Sequence, residues 1–575
     1  MMINSKQIKK LIKVASGRIE ADLVIRNGKV VDIFNKRIVS GDIAIVDGVI
    51  AGIGNYEAKE IYDAKGAYVS SGFIDAHVHI ESSLVDPASF SKLLVPHGTT
   101  TAIVDPHEIC NVAGLDGFDY MLENSANLPL SIFVMFPSCV PSTVFEHAGA
   151  ILDASKVAQR IDRDRVLGLG EMMDMVGTIE AQDHIVDKLL VAHNANKMID
   201  GHGPMLKDLE LNAFAAAGIK TDHECTTAEE LTDRLQRGMY VMLREGSATQ
   251  DLRKLLPAVT KENSRYCLFC TDDRQPFSIL EEGHIDNHLR IAVQEGLDPL
   301  EALRMATINA AECYSLNDRG AIAPGRRADL VILEDLKNFK VLKVFTGGKE
   351  YKEESLSKEA PISKSVLSKV NIGSYSADKL KLKLNSTDVK VIGIQKGSLI
   401  TTKERATVKV DKDGYYENDP DVDIVKLAVL ERHRATGNVG LALLRGLNLN
   451  NGAVATTIAH DSHNVIVAGD NDVDIDVAIK ELKRLGGGLL IVQNGKVLEA
   501  LELPIGGLMT NKGGLYVKDK LEALHKVAIE KLGMDSDGDP FTTLSFMALP
   551  VIPSLKVTDM GLFDVEKNEF VSIEN

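Results

Sequence analysis

The chain has 575 residues, 45% of them hydrophobic, and a formal net charge of −17. At roughly 150 residues per domain, that length predicts three or four folding units. The acidic balance excludes general binding to nucleic acid or anionic membranes and leaves small molecules as partners.

In chain order, the first element is Lys6-Gln-Ile-Lys9-Lys10-Leu-Ile-Lys13, which lacks the long apolar core and cleavage site of a targeting segment and reads as a solvated amphipathic helix. No apolar run approaches the roughly 18 residues that span a bilayer. The six cysteines have no framework-like spacing, so a protein of the reducing cytoplasm, with no membrane partner, is expected.

Short β-rich runs then follow over residues 21–70, divided by Asn27-Gly28 and Asp47-Gly48, which are hairpin signals. The same style returns at Gly320-Ala-Ile-Ala-Pro-Gly325 and Asp329-Leu-Val-Ile-Leu, so a small β domain is expected to be completed after a long insertion. Within the insertion, apolar runs alternate with amphipathic helical stretches. Eight strands are expected at 73–79, 99–105, 130–136, 166–171, 197–202, 218–223, 239–244 and 266–272. Eight βα units over about 250 residues fit a TIM barrel. The competing doubly wound sheet should carry a Gly-rich phosphate loop after its first strand, and none is evident.

The expected fold is therefore α/β: a metal-dependent TIM-like (β/α)8 barrel inserted in a composite β-sandwich, plus a C-terminal α+β domain. The boundaries are 1–71 for the N-terminal helix and first part of the sandwich, 72–317 for the barrel and 318–351 for the completing strands. A Lys-, Ser- and Glu-rich surface linker follows at 352–378, and 379–575 forms the last domain.

Barrel enzymes place their catalytic groups at the C-terminal ends of the strands. Asp75-Ala-His77-Val-His79 stands there on the first strand, with two imidazoles of the same parity. Glu171, His202, His223 and Asp272 close the fourth, fifth, sixth and eighth. Each has a plain structural reading: Glu171 could cap a helix, His202 stabilise a turn, Asp272 act as an N-cap. Their joint placement points to metal ligation, in which a carboxylate such as Glu171 can bridge two cations.

With these residues the sequence resembles the amidohydrolase superfamily. Gly72-Phe-Ile-Asp75-Ala-His77-Val-His79-Ile-Glu81, Asp105-Pro106-His107-Glu108, Asp222-His223-Glu224-Cys225-Thr and Thr271-Asp272-Asp273-Arg274 resemble, more narrowly, the bacterial adenine deaminases, as does Ala459-His460-Asp461-Ser462-His463-Asn464. The resemblance covers nearly the whole chain. It implies hydrolysis of adenine to hypoxanthine and ammonia in purine salvage, two divalent ions (Mn or Fe ahead of Zn) and a homo-oligomer such as a homodimer.

Under that reading His77, His79, Glu171, His202, His223 and Asp272 hold two ions that lower the pKa of a water, generating hydroxide near neutral pH. Asp272 also shuttles the proton to the leaving nitrogen. Glu81 shares strand parity with His77 and His79 and is the first choice to protonate the ring nitrogen; Glu224, beside a ligand but of opposite parity, is the second. His107, Glu108, Arg244 and Asp273 are expected to line the substrate pocket.

Three alternatives differ in chemistry. A cyclic-amide hydrolase of the dihydroorotase or hydantoinase type would attack a carbonyl, but those relatives bridge their metals with a carboxylated lysine. A non-catalytic scaffold would have lost ligands. The small-fold zinc deaminase pattern fails because Tyr266, not proline, precedes Cys267-Leu-Phe-Cys270, whose cysteines read as buried core. His460 and His463 lack a clear third ligand. They read as a hydrogen-bonded loop that could cover the barrel mouth of its own or a neighbouring subunit.

Overall fold

A computed structural model describes residues 4–353, 361–536 and 538–575. The eight strands of the insertion, numbered β1 to β8, are Phe73–Val78, Thr99–Val104, Ser131–Phe136, Val166–Met172, Met198–Gly201, Thr221–Asp222, Tyr240–Arg244 and Cys267–Cys270. Strands β1 to β5 form one parallel sheet and β6 to β8 another. Lys220 donates its backbone N–H to Ile199 across the β5–β6 seam, and Val78 pairs with Asp272 across the β8–β1 seam. The ring is thereby closed as a TIM-like barrel, its interior filled by Ile74, Ala76, Ile103, Met135, Met242 and Leu268.

The strands are shorter than the apolar runs suggested. His79, His202 and His223 each lie one residue beyond a strand, and Asp272 lies two beyond β8. Ladder pairing ends where the backbone must turn outward to the helices, and the donors stand at that turn. Asp272 adopts a left-handed φ of 59°, a conformation Asp tolerates better than most residues.

The flanking β domain is two sheets packed face to face. Its six-stranded sheet places Tyr68–Ser71 beside Leu330–Leu333, joining chain before and after the barrel. Ile25, Ile43 and Ile45 of one sheet pack on Val30, Val69 and Leu330 of the other. Asp47 and Gly48 both have positive φ and close an antiparallel hairpin, as expected for this dipeptide. Asn27-Gly28 does not form the expected hairpin: the strands on either side lie in different sheets. Gly28 has no positive φ, and a Cβ there would sit 2.6 Å from Val69 Cγ2, so this glycine permits a close crossing between layers.

The C-terminal region forms an eight-stranded sheet running in sequence from Asp388–Ile394 to Lys496–Glu502. Helix Asp472–Leu485 buries Ile475, Ala478, Ile479 and Leu482 on one face of it. The other face joins the barrel through an apolar cluster that includes Ile80, Leu84 and Ile109 together with Val454, Ile466 and Ile491. Backbone bonds from Asp86 to Thr510 and from Thr510 to Leu84 fasten the two regions. Residues 354–360 of the expected linker lie outside the described residues. In its described part Val366, Val370 and Ile372 are buried, and Ser368 bonds to Pro504. No described helix is long and apolar enough to cross a membrane, and all six cysteines are free and buried.

Lys556 is fully buried and donates to the carbonyls of Leu399 and Phe546, each at 3.0 Å. Burial pushes its pKa from 10.5 down to about 7. Between those values the unfolded chain binds the extra proton, so this residue makes stability rise with pH over that window. Thermal melts from pH 7 to 9.5 should show a smaller pH-dependent gain for Lys556→Met than for the wild type; an equal gain would mean that burial does not lower the Lys556 pKa.

Candidate metal centre

The donors converge because the barrel directs its strand ends to one mouth. Nε2 of His77 and Nε2 of His79 lie 3.2 Å apart, and His79 Nδ1 bonds to the Asp105 carbonyl at 2.8 Å. That bond fixes the His79 ring and turns Nε2 inward. Two imidazole nitrogens meeting head to head, both buried, are suited to a shared cation.

Glu171 is the hub. Its Oε1 lies 3.3 Å from His79 Nε2, while its Oε2 lies 2.9 Å from His202 Nδ1 and 3.2 Å from His223 Nε2. The glycines of Val166-Leu-Gly-Leu-Gly-Glu171 explain how the carboxylate is aimed. A Cβ on Gly170 would stand 2.0 Å from Asp105 Oδ2, the oxygen that accepts the Glu171 N–H at 2.9 Å. Burial would push the Glu171 pKa up, but hydrogen bonds from His107, His202, His223 and His79 outweigh it and hold the group well below the usual carboxylate range.

Asp272 Oδ1 lies 3.1 Å from His79 Nε2 and 3.6 Å from His77 Nε2, and its Oδ2 accepts from Arg244 Nη1 at 2.8 Å. Asp75 ties β1 to β8 by accepting from the Thr271 N–H at 3.1 Å and the Thr271 hydroxyl at 2.5 Å. All six sequence-predicted donors thus meet in one cluster. His77, His79 and Glu171, then His77, His223 and Asp272, then Glu171, His202 and His223 each place ligand atoms within 4.8 Å of one another. The all-nitrogen and carboxylate set fits divalent ions of the Mn, Fe and Zn kind.

Glu81 is not on an extended strand as parity assumed: β1 stops at Val78 and Glu81 opens a 3-10 turn. The turn still points it inward. One oxygen accepts the Ile109 N–H at 3.1 Å, the other is buried without a partner, and burial raises its pKa.

Glu224 likewise departs from its parity. Because β6 ends at Asp222, Glu224 Oε1 turns toward the centre, 3.4 Å from His223 Nε2 and hydrogen-bonded to Arg244. His107 Nδ1 lies 3.3 Å from Glu171 Oε1. Glu108 and Asp273 line a cavity beside the donors, and Ser82 donates to Asp273. Arg274 is fully buried and donates to the carbonyls of Gly283 and Glu245.

Sequence reasoning did not assign Asp105 or Asp75 a role in the site. Both carry a signal it could have used, a carboxylate on an inner strand or at its C-terminal end. The histidine loop is also near: His460 Nδ1 lies 3.7 Å from Glu108 Oε1.

The closed parallel barrel with His-x-His, two further histidines, a glutamate and an aspartate at its mouth defines a metal-dependent amidohydrolase. The amidohydrolase family model matches residues 68–351, and that of the adenine deaminase C-terminal domain matches residues 398–569. "Adenine deaminase 2" of Desulfotalea psychrophila is 50% identical over the whole of both chains. "Adenine deaminase 2" of Carboxydothermus hydrogenoformans is 49% identical over 99% of this chain and all of its own. "Adenine deaminase" of Ligilactobacillus salivarius is 48% identical over the whole of both. The chain belongs to the adenine deaminase family, and its site is one for divalent metal.

Proposed function

We propose that this protein hydrolyses adenine to hypoxanthine and ammonia at a centre of two divalent ions, Mn or Fe ahead of Zn. The observation that carries the reading is Glu171, whose two oxygens face different histidines, His79 on one side and His202 and His223 on the other. One carboxylate so placed can serve two cations and offset their charge. The full-length likeness to adenine deaminases supports the substrate.

His77, His79, Glu171, His202, His223 and Asp272 would hold the ions, which supply Lewis acidity and bring water ionisation near neutral pH. The Asp272 carboxylate takes the proton of the attacking water and returns it to the amino nitrogen, so that ammonia leaves. Arg244 steadies Asp272 and Glu224 together through one guanidinium nitrogen. Glu81, whose buried oxygen has no other partner, holds the proton for the ring nitrogen next to the attacked carbon. His107, Glu108 and Asp273 bind and orient the purine edge.

The test is ammonia release from adenine by apo-protein loaded separately with Mn, Fe and Zn, run beside dihydroorotate and hydantoin. Deamination of adenine with at least one metal, at full occupancy of two ions per chain, is expected. Turnover of the cyclic amides alone would sink the assignment.

A further inference from the structure

The cavity beside the donors has walls from two regions of the chain. Glu81, Glu108 and Asp273 come from the barrel; Ile458, His460 and Phe546 come from the C-terminal region. The barrel side carries carboxyl groups that match the ring nitrogens and amino group of a purine edge. The C-terminal side mixes apolar Leu489 and Phe541 with Thr542 and Ser545, and its His460 ring, stacked on Phe546 at 4.5 Å and 22°, adjoins Glu108, with Nδ1 3.7 Å from Oε1. An aromatic pair adjoining a row of carboxyl groups suits a planar heterocycle.

The loop that carries His460 is built to stay in place. Arg432 is fully buried and spreads its guanidinium over the backbone carbonyls of His463, Lys369, Thr457 and Gly506. His433 bonds to the Ser462 carbonyl at 2.7 Å, and Asn464 reaches the barrel through the His147 carbonyl at 2.9 Å. An arginine placed under a loop in this way removes the loop's freedom before any ligand arrives.

Within the loop His463 is fully buried, and its Nε2, without a hydrogen-bond partner, lies 3.9 Å from Glu108 Oε2. Its Nδ1 accepts the Ala459 N–H at 3.3 Å. A neutral imidazole that accepts at Nδ1 carries its proton at Nε2, and burial beside His460 and Arg432 keeps the ring neutral. Glu108, His460 and His463 have the spacing of a metal triad. The tautomer argues against that role, because the nitrogen turned toward Glu108 bears a hydrogen and not a free lone pair.

We propose that loop 457–464 completes the substrate site in the same chain, with His460 packing against the purine and His463 acting as a positioning residue that directs Glu108 to it. The inference rests on the adenine reading above. The 3.9 Å gap is longer than a hydrogen bond and closes when Glu108 turns onto the bound base.

The experiment uses full-length enzyme reconstituted with Mn, with KM and kcat for adenine and the metal content measured for each variant. His460→Ala should raise KM by roughly 3- to 10-fold, the worth of one aromatic contact, with kcat little changed. His463→Leu should lower kcat by about 10- to 100-fold, the cost of leaving a buried oxygen of Glu108 without its hydrogen-bond donor. His463→Gln, which returns an N–H near the former Nε2, should recover activity to within about 3-fold of the wild type.

All three should keep the wild-type metal content. Unchanged kinetics in His460→Ala and His463→Leu would overturn the inference, and so would glutamine and leucine variants that are equally impaired. Loss of about one ion per chain from either histidine variant would overturn it in favour of a metal triad. No turnover of adenine by the wild type would overturn the adenine reading and this inference with it, whereas a failure confined to the variants touches the inference alone.

Discussion

Glu171→Gln is expected to lower the metal content from two ions per chain to one or fewer and to cut adenine turnover by at least about 10³-fold, the several kcal/mol that metal assistance supplies. The amide keeps the shape of the side chain but cannot present an anionic oxygen to both histidine groups. In the native protein Oε1 faces His79 while Oε2 faces His202 and His223. The fold should survive, because the backbone bond from Glu171 to Asp105 and the β4 pairing do not depend on the carboxylate. Elemental analysis and circular dichroism on the same preparation check both halves. A folded variant that retains two ions would show that Glu171 does not bridge.

Glu81→Gln separates proton supply from metal binding. Turnover should fall by about 10²- to 10⁴-fold, the range for loss of a positioned acid, while both ions stay bound. Glutamine can still accept the Ile109 N–H at the position of Oε1, so the local turn should be kept. What is lost is the ionisable oxygen that is buried without a partner. Near-normal turnover would remove Glu81 from the mechanism and direct attention to Glu108, which is also buried and whose pKa is pushed well up, by burial first and then by Glu81 and Asp273.

Much of the centre was legible in the sequence because barrel geometry converts a one-dimensional rule into a place. Five of the eight apolar strands, β1, β4, β5, β6 and β8, carry or lead into donors and bring His77, His79, Glu171, His202, His223 and Asp272 to one mouth. Parity was a weaker guide. It assigned Glu81 inward and Glu224 outward on the assumption of continued strand, yet β1 ends at Val78 and β6 at Asp222, and both carboxylates turn toward the centre in the following segments. Local dipeptide signals were weaker still where layers cross. Asp47-Gly48 makes its hairpin, whereas Gly28 answers to the packing of Val69.

By itself the sequence determined the barrel class and put six candidate donors at strand ends, since periodicity and residue chemistry are properties of the chain read locally, while the family followed from the resemblance of its motifs. Only the tertiary structure decided that Asp105 aims both His79 and Glu171, that Asp75 clasps the barrel seam, and that Ile458, His460 and Phe546 line one cavity with Glu81 and Glu108. Glu108 and His460 are far apart in the chain, and their meeting depends on how the apolar face of the C-terminal sheet packs on the barrel. No local pattern encodes that geometry, because it comes from the fit of two surfaces.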